Sequence, residues 1–332
     1  MRLPLSFAVA AAAGSVAASR SELRQATTPK HELNFDDNET PLPIVVWHGL
    51  GDDFSGGAAE IVKETAEKIY PGTYVHVVSL GGSDPGADSR ATFLGDVNTQ
   101  LEAVCQELAA DNILSTAPAI DAVGFSQGGQ FLRAYIERCN NPPVRSLVTF
   151  GSQHNGISRA YKCEDSSWFC WMVYNGMKIG VWTNYAQTNL VPAQYYRDPA
   201  DLESYIAHSH FLADINNEKE QRNETYAKHI ASLAHFAMIL FDDDETVVPF
   251  QSSWFEEVNG TEVVPLRERA LYKEDWLGLQ ALDKKGGLHF LRNPGKHMAI
   301  DDEILDKVIK EYFGPSRSTT SDNHRDAIGD EL

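Results

Sequence analysis

The sequence predicts an α/β fold in which a mostly parallel central sheet is flanked by helices, with a mainly helical insertion between two of its later strands. Two observations carry this expectation. Short, continuous apolar runs alternate with stretches of helical spacing between residues 43 and 150, and again after residue 236; buried parallel strands covered on both faces read this way. A serine also sits in Gly124-Phe125-Ser126-Gln127-Gly128, where one apolar run meets a helix-like stretch. In open α/β sheets, chemistry gathers at such strand C-terminal ends.

The elements follow in order. Pro43-Ile44-Val45-Val46-Trp47 reads as a buried strand opening into the glycine-rich loop His48-Gly49-Leu50-Gly51. From Ala58 to Tyr70 the residues Ile61, Val62, Ala66 and Ile69 share one helical side. Tyr74 to Leu80 is a second strand, stopped by Gly81-Gly82, and Leu101 to Ala110 is a helix. Ala119 to Val123 is the strand before Ser126, Gly129 to Arg138 the helix after it, and Val144 to Phe150 a further strand ending at Gly151. The alternation breaks from Ser152 to about His235, a mainly helical insertion holding Trp168, Phe169, Trp171, Met172, Tyr174, Met177, Trp182, Tyr185, Tyr195, Tyr196, Tyr205 and Phe211. Those side chains form either the insertion's own core or an apolar cleft for a long acyl chain. Strands resume at Phe236 to Phe241 and Gly287 to Leu291, and Ile304 to Tyr312 is a closing helix.

The chain has 332 residues and a formal charge of −19, with no basic cluster. Nucleic acid is thereby excluded as an expected partner. Residues 1–19 read as a secretory signal peptide: Met1-Arg2, a short apolar core and small residues near Ala17. No run reaches transmembrane length. Residues 20–40 are an unstructured lead-in, 41–314 the folded domain with its insertion at about 152–235, and 315–332 a polar, disordered tail. In the secretory route Cys105, Cys139, Cys163 and Cys170 can pair, with three connectivities open. Asn38, Asn223 and Asn259 begin glycosylation sequons. The ending Gly329-Asp330-Glu331-Leu332 is similar to receptor-read retrieval signals of the endoplasmic reticulum, but it lacks their positive first residue.

Ser126 occupies a G-x-S-x-G nucleophile elbow, a strand–turn–helix in which the hydroxyl is pushed clear of the backbone. The order serine, acid, histidine is that of the α/β-hydrolase fold. The strand ending at Phe241 delivers Asp242-Asp243-Asp244-Glu245 before Val247-Val248-Pro249, and spacing alone leaves the choice among these four acids open. His297 follows the last strand and precedes the last helix, the position this fold gives its histidine. The oxyanion donors are expected to be the backbone N–H groups of Gln127 and Leu50, the latter in the loop that also holds His48. His208 and His210 form an H-x-H pair without nearby acids, and there is no C-x-x-C. No metal site and no cofactor are therefore expected. His154 and His289 carry no positional argument.

Several ordered blocks go well beyond an elbow motif: Val46-Trp47-His48-Gly49 with Gly51-Asp52, Val104-Cys105-Gln106, the run Gly124 to Ala134, Gly151 to Gly156, Phe211 to Asn216, Trp254-Phe255, and Leu271-Tyr272 with Leu277-Gly278-Leu279. In these the chain resembles the palmitoyl-protein thioesterases of the lysosomal type 1 kind, from Pro41 to Gly314. The resemblance implies a serine-dependent thioesterase acting on S-acylated proteins or peptides and fatty-acyl thioesters, in a lysosome or vacuole, with an acyl groove in the insertion. It places the nucleophile on Ser126, the histidine on His297, and the acid on Asp244, five positions before Pro249. It also implies the disulfides Cys105–Cys139 and Cys163–Cys170. Two departures stand out: Asp53-Phe54 replaces an adjacent cysteine pair, and Asp243 stands where the family can carry a glycosylated asparagine.

Overall fold

A computed structural model describes residues 40–159 and 180–316. The expected signal peptide, most of the lead-in with Asn38, nearly all of the tail, and the Cys163–Cys170 pair lie outside the described residues, as do the insertion's residues from Trp168 to Met177.

The first strand, β1 (Ile44–Trp47), is wholly buried and leads through a loop to α1 (Gly57–Ile69), then to β2 (Val75–Val77), α2 (Pro85–Ala91) and α3 (Val97–Ala110). The elbow joins β3 (Ile120–Phe125) to α4 (Gln127–Arg138), and β4 (Val144–Phe150) follows. After the undescribed stretch come five short helices, α5 (Asn184–Asn189), α6 (Val191–Gln194), α7 (Leu202–His208), α8 (Leu212–Ile215) and α9 (Glu224–Ser232). The chain then returns to the sheet as β5 (His235–Phe241), forms the hairpin β6 (Glu257–Asn259) and β7 (Glu262–Val264), and continues through α10 (Ala270–Lys273) and α11 (Leu279–Lys284). β8 (Leu288–Asn293) and α12 (Asp302–Tyr312) complete it.

Among the described residues six strands make one sheet in the order β2-β1-β3-β4-β5-β8, every neighbouring pair parallel. This is the α/β-hydrolase arrangement. Because successive side chains alternate between faces, each strand feeds two cores. Ile44, Val46, Val123, Phe125, Ala237 and Ile239 pack with α1 and α12 through Val62, Ala66, Leu305 and Val308. Val45, Trp47, Ala122, Leu147, Phe236 and Met238 pack on the other side with α3, α4 and α9 through Leu101, Val104, Phe131, Leu132 and Ile230.

Several boundaries differ from the sequence expectation for identifiable reasons. The second strand is three residues long, not seven, because it is an edge strand whose neighbour β1 has only four residues; its last support is Val78 N–H donating to Val46 O at 2.9 Å. α3 begins four residues early, since Asp96 Oδ1 accepts from Thr99 N–H at 2.9 Å and caps a polar first turn. α4 begins at Gln127, not Gly129, because the elbow turn is a single residue. α2 and the β6–β7 hairpin were not anticipated.

Candidate active site

The chain order in the sheet reverses between β1 and β3, so the C-terminal ends of these neighbours flank a crevice. Ser126 stands there, immediately after β3, with φ 51° and ψ −119°. A non-glycine residue in this left-handed region is strained, and the surroundings hold it. Its N–H donates to Phe150 O at 2.7 Å, and its glycine neighbours leave room for the turn. A Cβ on Gly124 would lie 2.5 Å from Gly129 N, and one on Gly128 would lie 2.5 Å from the His48 carbonyl oxygen.

His297, in the loop after β8, brings Nε2 to 3.0 Å from Ser126 Oγ and Nδ1 to 2.6 Å from Asp244 Oδ2. The loop after β5 presents Asp244, which is buried; its Oδ1 accepts the N–H groups of Thr246 and Val247, each at 2.9 Å. These two backbone bonds fix the carboxylate and leave Oδ2 for the histidine. The other three acids point elsewhere: Asp242 accepts from Arg292 Nε at 2.7 Å, Asp243 is exposed, and Glu245 faces Lys296 at 3.8 Å. The order and directions of these bonds suit proton transfer from the serine hydroxyl to the imidazole, with the carboxylate orienting the ring.

Gln127 is the first residue of α4 and is buried; its side-chain Oε1 accepts from Tyr195 OH at 3.1 Å. The β1 loop lies against the elbow: a Cβ on Gly49 would come 3.3 Å from Ser126 Cβ. Leu50 follows in that loop. His48 is fully buried, its Nε2 3.0 Å from Asp88 Oδ2.

The remaining sequence candidates lie apart. His208 ends α7 and His210 lies two residues beyond it, both on the surface, and among the described residues no group of three or more His, Cys, Asp or Glu is arranged to hold a metal. His154 is buried, stacked on Phe255 and bonded to Thr149 Oγ1 at 3.1 Å; burial and the nearby Arg133 charge push its pKa well down. His289 pairs with His235 across β8 and β5 at 3.1 Å. Cys105 of α3 is disulfide-bonded to Cys139 at the end of α4, with Cα atoms 6.0 Å apart. Asn223 caps α9 and Asn259 ends β6, both exposed. Of the described aromatics in the insertion, Tyr195, Tyr205 and Phe211 are core residues, Trp182 packs on Tyr196 and Tyr205, and only Tyr185 stands well out.

Sequence reasoning missed α2 and with it Asp88, Ser89 and Thr92, which grip the loop after β1. The signal was present in Asp84-Pro85. An aspartate N-cap followed by proline at the first helical position starts a helix, and Asp84 Oδ1 accepts from Gly86 N–H at 2.9 Å.

The palmitoyl protein thioesterase family model matches residues 43–297. This chain belongs to that family. It is 38% identical over 280 residues to palmitoyl-protein thioesterase 1 of Caenorhabditis elegans, covering 82% of this chain and 92% of that one. It is 31% identical over 276 residues to palmitoyl-protein thioesterase 3 of Dictyostelium discoideum, covering 82% and 89%. To the lysosomal thioesterase PPT2 of Homo sapiens it is 27% identical over 253 residues, covering 74% and 78%. The matched span of the palmitoyl-protein thioesterase model reaches from the residue before β1 to His297, so it takes in the elbow, the acidic loop and the histidine loop.

Proposed function

We propose that this protein is a serine hydrolase that cleaves long-chain S-acyl thioesters, releasing fatty acid from cysteine. The observation that carries the reading is the hydrogen-bonded line Asp244–His297–Ser126 at the head of a strained elbow, in a chain of this family. In this reading Ser126 Oγ attacks the thioester carbonyl carbon as His297 Nε2 takes its proton. The carbonyl oxygen, now anionic, is held by the backbone N–H groups of Leu50 and Gln127. The intermediate collapses, the C–S bond breaks, and the thiolate leaves with the proton from His297. Water then repeats the sequence on the acyl-serine, giving free fatty acid and restoring Ser126. A thiolate leaves readily, so the residues in place suffice for the chemistry.

The substrates in this reading are S-acylated proteins or peptides and fatty-acyl thioesters. The exposed Asn223 and Asn259 sequons, the Cys105–Cys139 disulfide and the lysosomal naming of the human relative support a secretory route ending in a lysosome or vacuole. Among the described residues no helix is long and apolar enough to cross a membrane.

The test is release of palmitate from an S-palmitoylated peptide and from the matched O-palmitoyl serine peptide, with Ser126→Ala as control. Faster thioester cleavage, lost in the variant, is expected. Preference for the oxygen ester, or equal activity in Ser126→Ala, would refute the proposal.

A further inference from the structure

The loop that follows β1 is held by one short helix. Asp88, on α2 and fully buried, accepts three bonds: His48 Nε2 at 3.0 Å and Phe54 N–H at 2.8 Å on Oδ2, and Leu80 N–H at 2.7 Å on Oδ1. From the same helix Ser89 Oγ donates to Gly51 O at 2.9 Å, and just past its end Thr92 Oγ1 accepts from Gly51 N–H at 2.8 Å. Both flanks of the Gly49–Leu50 peptide are therefore pinned to α2.

His48 itself reaches that peptide. Its Nδ1 lies 3.2 Å from Gly49 O, which also accepts from Asp52 N–H at 3.3 Å. The two oxygens facing the ring, a carboxylate and a carbonyl, are both acceptors. Making both bonds at once requires both ring nitrogens to carry protons, so the bonded ring is an imidazolium. Gly49 C=O and Leu50 N–H belong to one rigid, planar unit, so a donor that fixes the oxygen also fixes the direction of the N–H. A donor on the carbonyl also polarises the unit and strengthens its N–H as a donor.

We infer that His48, anchored by Asp88, is a positioning residue for the oxyanion hole, orienting and polarising the Gly49–Leu50 peptide so that the Leu50 N–H meets the developing oxyanion. The inference rests on the oxyanion role proposed above for Leu50. Charge agrees with the geometry. Burial alone would lower the His48 pKa, but the hydrogen bond and charge of Asp88, with Gly49 O and the charge of Asp52, outweigh it and raise it. Burial would raise that of Asp88, but the His48 bond and charge and the Leu80 and Phe54 N–H groups bring it down. These are the titratable groups facing the pair: Asp88 from α2 and Asp52 from the loop.

The test uses steady-state kinetics on an S-palmitoylated peptide, with thermal unfolding run on each variant. Asp88→Asn and His48→Gln should lower kcat by about 10- to 100-fold with KM within about twofold, a fraction of the cost of losing an oxyanion donor outright. His48→Asn places an amide near the position of Nδ1 and should recover about tenfold over His48→Gln. The wild-type kcat should fall as pH rises above 6.5 through the His48 titration, a limb His48→Asn lacks. If Asp88→Asn does not fold, the Asn and Gln contrast at position 48 decides. Equal kcat in those two, or wild-type kcat in Asp88→Asn, overturns the inference. Activity in Ser126→Ala would instead overturn the serine reading beneath it, so the two failures are distinguishable.

Discussion

Gly128→Ala is the sharpest steric probe of how the elbow and the loop after β1 share space. The added Cβ would sit 2.5 Å from the carbonyl oxygen of His48 and closer still to that of Trp47. Real Cβ contacts keep at least 3.0 Å, so backbone must move by half an ångström or more. Neither side yields cheaply: Gly128 lies in α4, and the two carbonyls belong to the last residue of the fully buried β1 and to the buried His48 that follows it. The displaced atoms directly precede Gly49-Leu50, so the shift lands on the peptide assigned to the oxyanion. A misplacement near 1 Å can cost about 100-fold in rate, and overpacking costs about 1–3 kcal/mol. We expect kcat/KM on a thioester peptide to drop by about 10- to 100-fold, with a Tm loss of several degrees. Gly57→Ala is the matched control: it opens α1, nothing lies within 4 Å of its Cβ, and its effect should be neutral or stabilising by up to about 1 kcal/mol. Wild-type kcat/KM and Tm in Gly128→Ala would refute the reasoning.

Four further outcomes are expected. Ser126→Ala and His297→Ala should each lower kcat by about 10⁴-fold or more, because members of such a unit fail together; residual activity within tenfold of wild type in either would contradict the assignment. Asp244→Asn should cost about 10³- to 10⁴-fold, whereas Asp242→Asn and Asp243→Asn, whose side chains do not meet His297, should change kcat by less than about threefold; the reverse ranking would move the acid. Breaking Cys105–Cys139 by paired serine substitution should cost about 3–4 kcal/mol in thermal or denaturant unfolding, since the bond closes a span of 34 residues around β3 and α4. Asp88→Asn should lower stability by up to about 3–5 kcal/mol, with a definite pH signature. A raised His48 pKa contributes fully below the ordinary 6.5 and is lost as pH climbs through its folded value, while a lowered Asp88 pKa contributes above 3.8 and is lost as pH falls through its folded value. The Tm gap between wild type and variant should therefore be widest between pH 3.8 and 6.5, and a gap that grows toward pH 9 would count against the ion pair.

The central strands were legible because burial on both faces makes them continuous apolar runs with nothing else to be. β1 and β5 are such runs, β3 and β4 are apolar apart from Asp121 and from Arg145, Ser146 and Thr149, and Gly151 and Asp242 mark where β4 and β5 stop. Ser126 and His297 were readable from their order along the chain and their places after strands. The choice of Asp244 was not available from spacing, because four consecutive acids offer equal chemistry. What separates them is three-dimensional: the turn that puts Thr246 and Val247 N–H on one oxygen of Asp244 leaves its other oxygen facing the histidine. α2 was missed because its seven residues, Pro-Gly-Ala-Asp-Ser-Arg-Ala, show no apolar stripe. It is held by polar contacts made through Asp88, Ser89 and Thr92 to a loop some forty residues earlier, which no local periodicity reports.

The same kind of contact decides how the helices between β4 and β5 relate to Ser126. Arg133 of α4 is fully buried, paired with Glu137 at 2.7 Å, and donates to Ile215 O at 2.9 Å, Asn216 Oδ1 at 2.8 Å and His154 O at 3.2 Å. Phe131 from the same helix meets Phe211 edge-on at 5.6 Å, and Tyr195 bonds Gln127 beside Ser126. Gln194 reaches back to α3, accepting from Val97 N–H at 2.9 Å and donating to Gly95 O at 2.8 Å. A buried guanidinium left without such partners is strongly destabilising, so α8 cannot leave α4 without exposing that cost. The described helices of this segment therefore act as part of the hydrolase core. They hold the elbow helix on one side while α2 holds the loop after β1 on the other, and the serine sits between two independently braced backbones.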